Sequence, residues 1–234
     1  ERLQEADMEQ IEARDRRLEA ALPHVPFDGW SEATFQAAIA DSGQPEGLTR
    51  ALFPRGGLDL ARAYHALGDR EMARRLRDEP LSTMRFRERV ARAVMLRLEL
   101  ADRELVRRGS ALFALPQNSA EGVKALWGTA DVIWTALGDT SEDANWYTKR
   151  ASLATVYGAT VLFWLGDDDP ALAPTRAFLD RRIEGIMQFE SFKAALRRNT
   201  LGRLLTAGPD RLMAMVKPPR PADNLPGRNG PRPF

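Results

Sequence analysis

WSEATFQAAIADSGQPEGLTRALFP, residues 30–54, sets a helix, a glycine turn and a second helix in succession. Ser31 is placed to cap the first helix, because a serine oxygen can accept from the free amides of a first turn. That helix carries Phe35 and Ile39 and ends near Gly43, where glycine tolerates left-handed backbone. The second spans about residues 44–53. This is the helix-turn-helix outline. Before it, Leu3, Ile11, Leu18 and Leu22 recur near multiples of 3.6, and Pro23 stops that helix. After it, residues 58–78 read as a longer helix with a point of interruption at Gly68.

Charge tests whether this outline reads DNA. A duplex binder must displace condensed counterions with its own cations. Residues 1–79 hold 11 Lys/Arg against 16 Asp/Glu, and the candidate reader helix offers only Arg50, with Glu46 beside it and Arg55 just beyond. The sequence therefore predicts a helix-turn-helix used as scaffold, with no nucleic-acid partner. Over all 234 residues the net charge is +1, so no global field draws the chain to acidic partners.

The helical period continues downstream. Ser82 is placed to cap a long amphipathic helix through Phe86, Val90, Val94 and Leu98 to about Arg107. Residues 120–137 follow after Pro116, then 143–165 and 171–192, with no alternating strand pattern and no repeat. The expected fold is all-α. Its parts are a helix-turn-helix-like portion over 1–79, a helical domain over 80–192, an amphipathic segment over 193–217 and a disordered, proline-rich tail over 218–234. The opening ERLQEADMEQIEARDRRLEAAL is charged throughout, which does not read as an apolar leader. The apolar run Ala151–Leu165 has fifteen residues, about 22 Å at 1.5 Å each. That is short of a hydrocarbon core of about 30 Å, so it reads as a buried helix.

Catalysis finds little to work with. There is no cysteine, which removes thiolate chemistry and cysteine metal sites. Neither His24 nor His65 has a glutamate three residues before it, so the Glu-x-x-His pair of di-iron bundles is missing. PRGGL, residues 54–58, lacks the phosphate-loop lysine. Asp167, Asp168 and Asp169 before Pro170 read as a turn with a helix cap, not as a metal site. The expectation is a binding protein: not an enzyme, without a metal or cofactor.

GDTSEDANWYTKR, residues 138–150, is where binding chemistry gathers. Asp143, Trp146 or Tyr147, and Arg150 recur every three to four residues, and the stripe continues through Leu153 and Tyr157 towards Trp164. One helix thus carries a polar, aromatic head and an apolar body. An arginine at the mouth of an apolar space suits a lipid phosphate, because its planar fork donates in pairs. Tryptophan and tyrosine at the surface suit an interface. An equal reading leaves Trp146 and Tyr147 in the core and pairs Arg150 with a nearby acid.

Residues 127–187 resemble the signature region of the ninth coenzyme Q biosynthesis protein family. The matching phrases are Ala130, Asp131 and Trp134, then Gly138, Asp139, Ser141 and Asp143, then Asn145 to Arg150, and finally Phe178, Leu179 and Arg182. The resemblance implies a TetR-like helical fold without DNA binding, a homodimer, and a cavity for isoprenoid lipid or phospholipid. It implies presentation of quinone precursors to the di-iron demethoxyubiquinone hydroxylase. The implied partner patch is Asp139, Asp143, Trp146 and Tyr147. The implied lipid contacts are Arg150 at the headgroup, with Trp134, Leu153, Tyr157, Trp164 and Met187. Ala144 stands where relatives often have an aromatic residue, which weakens the patch.

SFKAALRRNTLGRLLTAGPDRLMAMVKPP, residues 191–219, places Leu201, Leu204, Leu205, Leu212 and Met215 on one helical face, interrupted at Gly208-Pro209. That composition suits a membrane surface. The expected setting is the cytoplasmic face of a bacterial inner membrane, or the matrix side in a mitochondrion. The competing expectation is a ligand-responsive regulator of the TetR type.

Overall fold

The computed structural model describes the backbone of residues 2–140 and 144–198, and the side chains of residues 8–140 and 146–186. The described residues form helices and turns and contain no strand. The N-terminal portion holds α1 (Arg2–Ala21), α2 (Val25–Asp28), α3 (Glu32–Ser42) and α4 (Glu46–Leu52). The long α5 (Gly57–Leu76) leads to α6 (Phe86–Glu99), α7 (Arg103–Phe113), α8 (Ser119–Ala136), α9 (Ala144–Trp164) and α10 (Ala173–Arg198).

The local signals at the helix-turn-helix hold. Ser31 Oγ accepts from the Thr34 amide at 3.3 Å, and Gly43 takes φ 60° where α3 ends. Gly68 does not interrupt α5, which runs unbroken. The helix expected from Ser82 is two helices. Ser82 lies in a short 3-10 turn, and α6 starts four residues later with Glu88 Oε2 accepting from the Arg85 amide at 2.8 Å. Then Asp102 restarts the chain as α7: its Oδ1 accepts from the amides of Glu104 and Leu105 at 2.9 and 3.0 Å.

Two apolar cores result. One gathers Leu18, Val25, Trp30, Phe35, Phe53, Leu60 and Leu105, and the other gathers Met72, Val94, Leu98, Ile133, Leu153, Tyr157, Trp164 and Leu179. Burying each such large side chain stabilises by about 1.5–3 kcal/mol relative to exposure. The two ends of α5 belong to different cores, since Leu60 sits in the first and Met72 and Leu76 in the second. The N-terminal portion is fixed to the rest by Trp30, whose indole donates to the Leu105 carbonyl at 3.0 Å, and by Arg108, which donates to the Pro26 carbonyl at 2.8 Å.

The acidic turn before α10 is closed by its own carboxylates. Asp169 accepts from the amides of Ala171 and Ala173, both at 3.0 Å, so the helix begins at Ala173 and not at Pro170. Asp167 accepts from the Thr175 hydroxyl and amide and from the Asp169 amide. The Thr175 hydroxyl, foremost, holds the Asp167 carboxyl below its ordinary value of 3.8. A depressed acid contributes stability that is present above its unfolded pKa and is lost as pH falls through the folded one. Asp167→Asn should therefore lower the urea midpoint at pH 7, with the gap to wild type narrowing at pH 3. A constant gap across that range would remove the acid from the account.

No described helix is long and apolar enough to cross a membrane.

Candidate binding cavities and an aromatic face

The head of α9 carries a cluster of rings. Trp146 and Tyr147 meet edge to face at 4.8 Å between centroids, and both meet Trp127 of α8, at 5.9 and 6.2 Å. All three are half-buried. They thus join the two expectations: each packs on its neighbours and each keeps a part open to solvent. Asp143, expected in the same patch, lies outside the described residues.

Arg150 follows the second of its two readings, paired with nearby acids and away from a cavity mouth. Its residue is 2 % exposed, and its guanidinium lies 4.0 Å from the Trp146 ring centroid. Nε donates to Asp131 Oδ1 at 2.5 Å and Nη1 to Asp139 Oδ2 at 3.0 Å. It is an internal ion pair and not a cation at a cavity mouth. The reason is geometric: the stripe it shares with Leu153, Tyr157 and Trp164 faces inwards, and all three of those are buried. Asp139, expected in the partner patch, is accordingly an internal clamp: its side chain is 5 % exposed. It also accepts from Lys149 Nζ at 2.7 Å, and Lys149 lies 5.2 Å over the Trp134 ring.

Two apolar cavities flank this helix. The first, about 540 Å³, lies between α6, the end of α8, the start of α9 and α10. Val90, Leu137, Leu153, Val156, Ile183 and Ile186 form its walls. Phe86 stacks on Trp134 at 5.4 Å and, with Arg87 and Thr140, is exposed at its rim. The cations lining it are Arg87 and Lys149, the latter the neighbour of the expected arginine. The second cavity, about 420 Å³, lies between α5, α7, α8 and α9, with Trp30 of the N-terminal portion on one wall.

Of the expected lipid contacts, Trp134 and Leu153 line the first cavity and Tyr157 the second. Trp164 lines neither of these two; it is buried with Arg103 at 5.2 Å over its ring. The Met187 side chain lies outside the described residues, as does the segment carrying Leu201, Leu204, Leu205, Leu212 and Met215.

Sequence reasoning missed a buried polar cluster. Arg97, 3 % exposed, donates from Nε to Asp69 Oδ1 at 2.8 Å and from Nη2 to the His65 carbonyl at 3.0 Å. The Thr129 hydroxyl donates to Asp69 at 2.9 Å, and His65 Nε2 lies 2.7 Å from that hydroxyl and 3.1 Å from the Ala125 carbonyl. A carbonyl only accepts, so Nε2 carries the imidazole proton. Burial lowers the His65 pKa and keeps the ring neutral. Gly68 makes room for the arginine: a Cβ there would stand 2.5 Å from Arg97 Cζ. A glycine in mid-helix was the one available signal.

On the helix-turn-helix, Arg50 is turned onto the Phe35 ring at 4.1 Å and paired with Glu32. Arg55 is held by Asp59 at 2.7 Å and Glu121 at 3.5 Å.

Comparison with known proteins decides the family. A family model described as COQ9 matches residues 119–190, which span α8, α9 and most of α10. The ubiquinone biosynthesis protein COQ9 of Rattus norvegicus is 33 % identical over 224 residues, covering 87 % of this chain and 70 % of its own. The chain belongs to the COQ9 family. The COQ9 of Schizosaccharomyces pombe is likewise 33 % identical over 173 residues, covering 71 % of this chain and 67 % of its own. Human COQ9 is 30 % identical over 223 residues, with 87 % and 69 % covered. These relatives are described as mitochondrial. A TetR transcriptional regulator from Nitrosomonas europaea superposes with a TM-score of 0.60 at 19 % identity, over 74 % of this chain and 97 % of its own. That likeness establishes the TetR-like fold for this COQ9-family chain.

Proposed function

We propose that this protein serves ubiquinone biosynthesis as a non-catalytic accessory protein. It binds isoprenoid quinone intermediates and presents them to a di-iron demethoxyubiquinone hydroxylase at a membrane surface. The observation that carries the reading is the first cavity. Aliphatic side chains from α6, α8, α9 and α10 wall about 540 Å³, a volume in the usual range for small-molecule sites. Burial of each CH₂ of an isoprenoid chain there contributes about 0.8 kcal/mol. The names of its relatives supply the pathway.

The rings of Trp127, Trp146 and Tyr147 stand on the same α8–α9 pair and suit docking of the hydroxylase. With Arg150 buried, the headgroup role passes to Arg87 and Lys149, which both line the cavity. The amphipathic segment over 193–217 supplies attachment to a membrane, on the cytoplasmic face in a bacterium or the matrix side in a mitochondrion. A homodimer is the expected assembly. The engaged charges of Arg50 and Arg55 support a scaffold and not a duplex reader.

Two measurements test this. Organic extracts of the purified protein should contain isoprenoid lipid or phospholipid by mass spectrometry; an extract free of both sinks the reading. Trp146→Ala with Tyr147→Ala should weaken hydroxylase binding at least tenfold while the helical circular dichroism persists. Unchanged binding returns both rings to a purely structural role.

A further inference from the structure

Among the described residues three arginines are buried: Arg17, Arg97 and Arg150, at 9 %, 3 % and 2 % exposure. The Asp69 carboxylate matches Arg97, and Asp131 and Asp139 match Arg150. Arg17 has no such match. Its Nε donates to the Thr49 hydroxyl at 3.2 Å and its Nη1 to the Ala13 carbonyl at 2.9 Å. Both acceptors are neutral, and no described carboxylate comes within 4.0 Å of the guanidinium. Its charge is therefore held but not balanced, and a buried charge without a counter-charge is costly.

Arg17 lines a third cavity, about 440 Å³, between α1 and the turn from α3 to α4. Ala13, Arg17 and Ala20 stand three to four residues apart and so share one face of α1, with Arg16 at its edge. Opposite them Gly43, at φ 60°, turns the chain out of α3, and Ser42 and Gln44 form the far wall. This cavity shares no lining residue with either apolar cavity.

Its lining also differs in kind. It holds no apolar side chain larger than alanine, so an acyl or isoprenoid chain would gain little there. Donors are at hand instead. The Arg16 side chain is 70 % exposed and meets only Glu12, at 3.8 Å. The exposed Gln44 amide makes no hydrogen bond among the described residues. The Ser42 hydroxyl is spent on the Ile39 carbonyl at 3.1 Å and serves as wall. Glu19, exposed, is the acid lining the space, so two cations face one carboxylate. A tetrahedral phosphate can accept from both arginines and the amide at once, where a planar carboxylate has only two oxygens to offer. The volume lies in the usual range for small-molecule sites, which leaves space for what the phosphate carries.

We infer that the third cavity binds a phosphate group carried by a small polar molecule, with Arg17 as the buried counter-charge and Arg16 and Gln44 donating from the rim. Through Thr49 the same arginine ties α1 to α4, so the guest bears on the turn of the helix-turn-helix.

Calorimetric titration of the full chain with glycerol 3-phosphate, in chloride at constant ionic strength, tests it. Arg17→Met should weaken binding roughly tenfold or more, the scale of a lost charge-assisted bond. It strands no carboxylate, so the variant should stay folded. Gln44→Ala alters an exposed side chain and should weaken binding roughly twofold to fivefold. Arg181→Met removes an exposed arginine of α10 and should change nothing. Absence of binding to the wild type overturns the inference, since water alone would then fill the cavity. Equal binding by the wild type and Arg17→Met overturns it too, as does an equal loss in Arg181→Met, which would reduce the effect to net charge. Tighter binding of short-chain phosphatidate, or of a DNA duplex, than of glycerol 3-phosphate would overturn the small polar guest.

Discussion

Arg97→Met should lower the free energy of unfolding by about 3–5 kcal/mol, the usual cost of leaving one member of a buried ion pair alone. For a chain of this size that is a fall of roughly 10 °C in melting temperature. The magnitude follows from the surroundings. Asp69 is buried, and without the arginine its carboxylate keeps only the Thr129 hydroxyl and the distant His65 ring at 3.6 Å. Replacing both partners, Asp69→Leu with Arg97→Met, should recover most of the loss, because no charge is then stranded. Thermal melts of the two variants decide it. A double variant no better than the single one would mean that shape, and not charge, holds this region.

Arg150→Met separates two meanings of one residue. As an internal clamp, Arg150 joins the end of α8 to the start of α9 through Asp131 and Asp139. Its loss should cost about 2–3 kcal/mol, below the full value for a buried pair, for two reasons. Asp131 is 44 % exposed, which screens its share, and Asp139 retains Lys149. Phospholipid recovered per mole of folded protein should stay as in the wild type. The opposite outcome, an unchanged melting temperature with phospholipid gone, would restore the headgroup role that the family resemblance implies for this arginine.

The helices were legible where a local signal sufficed. Ser31 and Gly43 bracket α3, and the apolar period of residues 120–137 matches α8 within a residue at each end. The break between α6 and α7 was not read, because the apolar spacing of Val94 and Leu98 runs on into Leu105 and hides a cap at Asp102. Arg150 shows the other limit. Its period along α9 was read correctly, yet its partner Asp131 lies 19 residues away, and only packing tells whether a stripe faces in or out. The buried polar cluster was the least visible. Asp69 and Arg97 stand 28 residues apart and Asp69 and Thr129 stand 60 apart, and charged residues in amphipathic helices read as solvent-facing by default.

The shared helix α5 has a bearing on how the molecule comes apart. Its first turns are gripped by one apolar nucleus and its last turns by the other. Neither nucleus can loosen without releasing a rod that the other is holding. A cut after residue 79, where composition suggested a seam, would strip Met72 and Leu76 from one half and hand the other a helix end with nothing to lie on. The helix-turn-helix outline and the helices behind it therefore behave as a single mechanical unit, not as two parts that could be exchanged.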